Sequence, residues 1–322
     1  MARPIKLFSG GNTDIFDLGN PWLDVTESTF ELWIDLSMSE KQLRKLKFKS
    51  FENVDRVVFY DWYDTYYELP KIAVEVVKLI ESQCPTVWYT LNKKTIPEIN
   101  TPQIKFDFLW NRCKSAYLDK KLGWKLSGNI NDYLQYPMHK NLREYKYLNL
   151  HRRPVPFRTE LNKFLKKYNG FSSDVTNNSI LPGNHADIEM VRRGLTMLPA
   201  RQFLDNSYVS CQIESQYQGN KSIVFTEKTY DHLIQGRIVL NFGPCGFYQA
   251  LQDDGWQLPT VGIDLSWDTI ENTPQRFQAY LGSLDQLFSK SITELHELFL
   301  ENYKFLEHNY NMLTTKPYDY IQ

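Results

Sequence analysis

The sequence predicts an α/β protein in two halves, on three observations. Strand-like runs and helix-like periods alternate along both halves, which implies mainly parallel sheets. A polar, turn-rich stretch over residues 123–146 separates the halves, so the domains are placed at 1–140 and 141–322. Within the second half, residues 207–243 read strand, Glu, loop, Thr-Glu-Lys, helix, strand, Gly. That order sets a carboxylate, a helix start and a lysine at one edge of a sheet.

The elements follow in chain order. Residues 5–8, 30–36, 56–61, 86–90 and 104–110 are strand-like, and a Gly10-Gly11 turn follows the first. Residues 69–82 carry a helical period through Ile72, Val76, Leu79 and Ile80. The Lys/Arg-rich run 41–49 reads as a solvated helix face. The second half opens with a strand at 145–150 and a helix at 157–168, followed by a polar loop at 170–182 and a helix at 185–195. A strand at 207–213 ends at Glu214. Thr226-Glu227-Lys228 then opens a helix with Tyr230, Leu233 and Ile234 on its apolar side. Gly236 stops that helix, and 237–242 reads as a buried strand ending at Gly243. A helix at 247–251, a strand at 260–263 and helices at 274–289 and 292–313 close the chain. Asp264 and Asp268 bracket a turn and are read as organising it.

Composition narrows the function classes. Hydrophobic residues make up 42% and charged residues 23%, a globular balance and not a disordered one. The 37 basic and 38 acidic residues give a net charge of −1, so nucleic acid is not an expected partner. The 15% aromatic content suits sugar stacking and a filled core equally. Cys84, Cys113, Cys211 and Cys245 are scattered, which points to reduced thiols and a cytoplasmic location. The six histidines lack metal-ligand spacing. No signal peptide and no membrane span are expected.

The Thr-Glu-Lys region carries the chemistry. Thr226 is a good N-cap. A helix start offers free N–H groups and partial positive charge, and Lys228 adds a full charge beside it. Together they suit a diphosphate. Glu214, at a strand's carboxyl end, can accept hydrogen bonds from the vicinal hydroxyls of a ribose. The plainer reading is an ordinary capped helix.

This stretch resembles the donor-binding motif of the α-1,3-fucosyltransferase family, through Glu214, Phe225-Thr226-Glu227-Lys228 and the strand 237–242 ending at Gly243. The resemblance implies that Lys228 and an upstream arginine hold the diphosphate, while Glu214 and Glu227 contact ribose and sugar. Arg158, near the start of the helix after Tyr147-Leu-Asn-Leu-His-Arg-Arg-Pro, is the upstream candidate. Ser215 stands where fucosyltransferases usually carry Asn, which leaves the donor sugar open, with GDP-linked sugars first. Over residues 104–285 the chain also looks like glycosyltransferase-like proteins of large phages and environmental viruses. Its shared pieces include Phe106-Asp-Phe-Leu-Trp-Asn-Arg112 and Gly243-Pro-Cys-Gly-Phe.

The resemblance implies a GT-B-like fold, in which two Rossmann-like domains face each other across a cleft and the second holds the donor. It implies an inverting glycosyltransferase that moves a sugar from a nucleoside diphosphate to a hydroxyl on a glycan or other biomolecule. The sequence contains no Asp-x-Asp, so metal-independent transfer is expected, with no cofactor. The catalytic base is expected from the first half, at Asp61, Asp64 or Asp14; Asp61 and Asp64 read equally as caps of a following helix. Two alternatives stand beside this one. One is an inactive sugar- or nucleotide-binding module. The other is a viral DNA-modifying glycosyltransferase.

Overall fold

A computed structural model of the chain describes residues 5–8, 30–36, 40–44, 54–61, 71–90, 92–93, 95–105, 140–151, 155–174, 179–180, 206–214, 217–218 and 222–317. The protein is α/β, with two parallel-rich sheets in two compact units. The units are Met1–Phe108 with Asp319–Gln322, and Leu109–Tyr318.

The first unit holds a five-stranded sheet in the order β1-β2-β3-β4-β5. The strands are β1 (Ile5–Phe8), β2 (Phe30–Asp35), β3 (Val54–Tyr60), β4 (Thr86–Thr90) and β5 (Gln103–Lys105). Every pairing is parallel. β3 ends in Val57-Val58-Phe59-Tyr60, an apolar run buried on both faces, as a central parallel strand requires. Val57 and Phe59 on one face pack with Trp88 and with helix α2 (Lys71–Glu81); Val58, Tyr60, Val87 and Tyr89 cluster on the other. A short helix, α1 (Glu40–Leu43), precedes β3. In α2 the buried residues are Ile72, Ala73, Val76, Val77 and Ile80. Leu79, expected on that stripe, is 59% exposed. The positions one turn from Ile80 are 76 and 77, and Leu79 is rotated about 100° from Ile80.

In the second unit, β6 (Tyr145–Asn149) lies at the centre of five strands. β7 (Gly170–Asp174) and β8 (Ser179–Ile180) lie on one side, β9 (Ser207–Ser210) and β10 (Ile238–Val239) on the other. Counted from β6, the order is 3-2-1-4-5, in which the direction of winding reverses between β6 and β9. In open α/β sheets such a reversal point is where ligands bind. β8 departs by pairing antiparallel to β7. Helix α3 (Pro156–Leu165) connects β6 to β7, and α4 (Glu227–Leu233) connects β9 to β10.

Three expectations for this unit are corrected. Residues 170–182 are not a plain loop, because they contain β7 and β8. Gly170 makes β7 possible: a Cβ there would collide with the ring of Tyr147 on β6. Residues 260–263 form no strand, and Gly262 has φ of 67°. Their neighbour is a side chain instead, since the Asn302 amide accepts from Val261 N at 3.0 Å and donates to Val261 O at 2.9 Å. That same Asn302 divides the last expected helix into α7 (Ile292–Glu301) and α8 (Tyr303–Thr315). Before them come α5 (Phe247–Asp253), a 3-10 turn at Ser266–Thr269 and α6 (Thr273–Phe288).

Much of the aromatic content fills the core of this unit. Phe242 packs against Phe277 at 5.2 Å and Tyr280 at 5.4 Å, and Trp267 meets Tyr280 at 4.9 Å. Such pairs prefer tilted and edge-on geometries.

Candidate functional site

The site is built where β6 and β9 end. β6 stops at Asn149, and His151 follows two residues on. Beyond β9 the chain continues extended: Cys211 N donates to Leu148 O at 3.0 Å, and Ile213 bridges Phe242 in parallel. Glu214 comes next, held by its own N–H on Phe242 O at 3.0 Å.

Glu214 is 0% exposed. Its carboxylate was expected to receive the hydroxyls of a ribose. It receives the hydroxyls of Thr226, at 2.5 Å, and of Thr229 instead. Thr226 and Thr229 stand three residues apart at the start of α4, so both side chains lie on one face. Thr226 is the N-cap, as expected: its Oγ1 accepts from Lys228 N at 3.3 Å. Lys228 Nζ also lies 3.4 Å from Thr226 Oγ1, which places the ammonium beside the cap. Glu227 is the first residue of the helix, which is seven residues long. Tyr230, Leu233 and Ile234 are buried as the period predicts.

A buried polar chain supports this corner from below. Asn241 Nδ2 donates to Thr229 Oγ1 at 2.9 Å and to Lys228 O at 3.0 Å, and its Oδ1 accepts from Gln212 N at 3.0 Å. Gln212 Nε2 meets His232 Nε2 at 2.5 Å. Burial holds the His232 imidazole far below its usual range, and the Arg237 charge adds to the effect. His232 is therefore neutral and accepts from Gln212.

Arg158 reaches the same corner from the other side. Pro156 occupies the first turn of α3, where a missing N–H costs nothing. Arg158 on that turn is buried, and its guanidinium donates to Ile213 O at 3.0 Å, one residue before Glu214. His151 is 5% exposed. Burial first, then the positive charges of Arg158 and Lys228, push its imidazole well below the ordinary range. Arg158 and Lys228 thus flank the Ile213-Glu214 end of the β9 segment, and the charge of each is felt at His151. Both cations were candidates from the sequence, whereas His151 carried no ligand spacing and was not singled out. Its position two residues past a central strand was the available signal.

Gly243 also has a steric role. A Cβ there would stand 2.5 Å from the ring of Phe247, so glycine lets α5 close onto the end of the β10 segment. Asp268 then caps α5 across the chain, its carboxylate accepting from Phe247 N and Tyr248 N at 3.0 Å each. Burial pushes that carboxyl up to about 6 against these hydrogen bonds. Asp268 thus organises its loop, as expected.

Of the candidate bases, Asp14 and Asp64 lie outside the described residues. Asp61, in the first unit, directly follows β3 and is 9% exposed. Its Oδ2 accepts from Trp88 Nε1 at 3.0 Å. Lys105 lies near in the register that pairs Thr90 with Lys105. Burial brings the Lys105 ammonium down to about 8, against the opposing charge of Asp61 and with that of Lys93.

Among the described residues, no group of three His, Cys, Asp or Glu side chains could hold a metal ion, and no helix is long and apolar enough to cross a membrane. Compared with protein-family models, curated proteins and solved structures, the chain matches none.

Proposed function

We propose that the second unit holds a nucleoside diphosphate sugar at the ends of β6 and β9, and that the protein is an inverting, metal-independent glycosyltransferase. The observation that carries this reading is that the Arg158 guanidinium holds Ile213 O while the Lys228 ammonium borders Thr226, whose hydroxyl donates to the next residue, Glu214. A guanidinium presents a planar fork of donors to phosphate oxygens, and an ammonium adds a compact charge. Both would stabilise the negative charge that grows on the leaving diphosphate.

In this reading Glu214 is a positioning residue. Its carboxylate fixes Thr226 and Thr229, which set where α4 begins and so where Lys228 stands. The two units are taken as the two Rossmann-like halves of a GT-B-like enzyme. The first would supply the acceptor side, with Asp61 the described candidate for removing the proton of the acceptor hydroxyl. The likeness to fucosyltransferases makes a GDP-fucose-like donor the first choice.

Calorimetric titration of the protein with GDP-fucose, UDP-glucose and the free diphosphates, with and without chelator, tests this directly. Binding that is unchanged by chelator is the expected result. Binding lost in chelator would overturn the metal-independent reading.

A further inference from the structure

We infer that Trp88 is the positioning residue of Asp61: its indole N–H holds that carboxylate ionised and in one orientation at the carboxyl edge of the first sheet. This rests on the reading of Asp61 as the base for the acceptor hydroxyl.

Strand register builds the pair. Phe59 on β3 pairs with Trp88 on β4, and Asp61 stands two residues past Phe59, on the same face. Parallel pairing carries on beyond β3, because Asp61 N donates to Tyr89 O at 3.2 Å. The Asp61 side chain therefore lies on the face that carries Trp88, and its Oδ2 accepts from Trp88 Nε1 at 3.0 Å. Trp88 is 0% exposed and packs among Val57, Phe59 and residues of α2. A donor fixed in this way is preorganised.

A buried indole N–H needs an acceptor. A backbone carbonyl would serve at lower cost than a carboxylate that has lost most of its water. The chain places a charge there instead, directly after the central strand of the sheet, and the carboxyl ends of parallel strands are where such sheets receive ligands.

Other described charges bear on this corner. Lys105 pairs in register with Thr90, two residues past Trp88 on the same face, and the opposing charge of Asp61 acts on its ammonium. Lys93, after β4, acts on Lys105 in turn. Asp35, at the end of β2, pairs with Tyr60, one position off the Asp61 register. Lys105 thus favours an ionised Asp61, and the indole hydrogen bond sets which way the carboxylate faces.

The test follows release of GDP from GDP-fucose and of UDP from UDP-glucose against pH, with water as acceptor. Asp61 takes a proton from the water, the oxygen bonds the anomeric carbon, and the diphosphate leaves with the electrons of the broken C–O bond. Asp61→Asn should slow release by about 10²-fold or more. Trp88→Phe keeps an aromatic ring and removes the N–H, so Asp61 should hold its proton more tightly. The acid limb of the rate profile should then move up by about one pH unit. A merely structural role would lower the rate at every pH and leave the limb in place. The second arm is nuclear magnetic resonance of the indole N–H groups of the eight tryptophans. One resonance should be displaced in Asp61→Asn and should titrate in the acid range in wild type. Should Trp88→Phe fail to fold, this arm decides alone. An unmoved acid limb in Trp88→Phe, or no such resonance, would overturn the inference and leave Asp61 as the base. Wild-type turnover by Asp61→Asn, or no release by wild type from either donor, would overturn the base reading instead.

Discussion

Lys228→Ala is expected to lower kcat by about 10²–10³, the usual cost of removing one preorganised electrostatic group. The charge it meets on the diphosphate grows as the glycosidic bond breaks, so the loss in rate comes on top of a measurable loss of ground-state affinity. Lys228 is half-buried, and its ammonium borders the Thr226 hydroxyl. Truncation should therefore leave thermal stability almost unchanged. Arg158→Ala should cause a rate loss of the same order, but with a difference that its position dictates. Arg158 is buried and holds Ile213 O. Its loss leaves a buried carbonyl without that donor, which costs about 1–3 kcal/mol of stability. Arg158→Lys, which keeps charge and loses the fork, separates the two effects. Steady-state turnover of GDP-fucose or another accepted donor checks both. A Lys228→Ala kcat within about threefold of wild type would show an ordinary surface lysine beside a helix cap.

Glu214→Ala is expected to destabilise the protein by about 2–4 kcal/mol. The substitution removes a fully buried carboxylate, leaves the Thr226 and Thr229 hydroxyls without their acceptor, and opens a cavity at the start of α4. Urea unfolding measures this. The sequence expectation for Glu214, a contact to ribose, makes the opposite forecast: weaker nucleotide binding with stability intact. Normal stability in Glu214→Ala would refute the positioning role. The Thr226→Val and Thr229→Val variants should each reproduce part of the loss, because each removes one of the two hydroxyl donors.

The parts of the fold that were legible were those whose cause is local. The start of α4 was written in Thr226-Glu227-Lys228, and its burial in the spacing of Tyr230, Leu233 and Ile234. The apolar run Val57 to Tyr60 likewise marked a strand of a mainly parallel sheet. What failed depended on distant partners. β7 reads Gly-Phe-Ser-Ser-Asp, with one apolar residue, and is a strand because Gly170 can lie against Tyr147. Residues 260–263 resembled a strand, but the hydrogen bonds a neighbouring strand would make come from the Asn302 amide. The helical period of 292–313 gave no sign that Asn302 would turn aside for that task. For the site, Lys228 and Arg158 were found as charges near a helix start. The inward turn of Glu214 was hidden, since only the fold shows two threonine hydroxyls arriving at its oxygens.

The most direct measurement is a thermal-unfolding comparison of wild type and Lys228→Ala against a panel of nucleotide sugars and nucleoside diphosphates. A ligand that binds only the folded state at about a hundred times its Kd adds roughly 2.7 kcal/mol. At least one GDP- or UDP-linked ligand should raise the wild-type midpoint by several degrees, with a clearly smaller shift for Lys228→Ala. No shift with any member of the panel, or equal shifts for both proteins, would contradict a diphosphate site at Arg158 and Lys228.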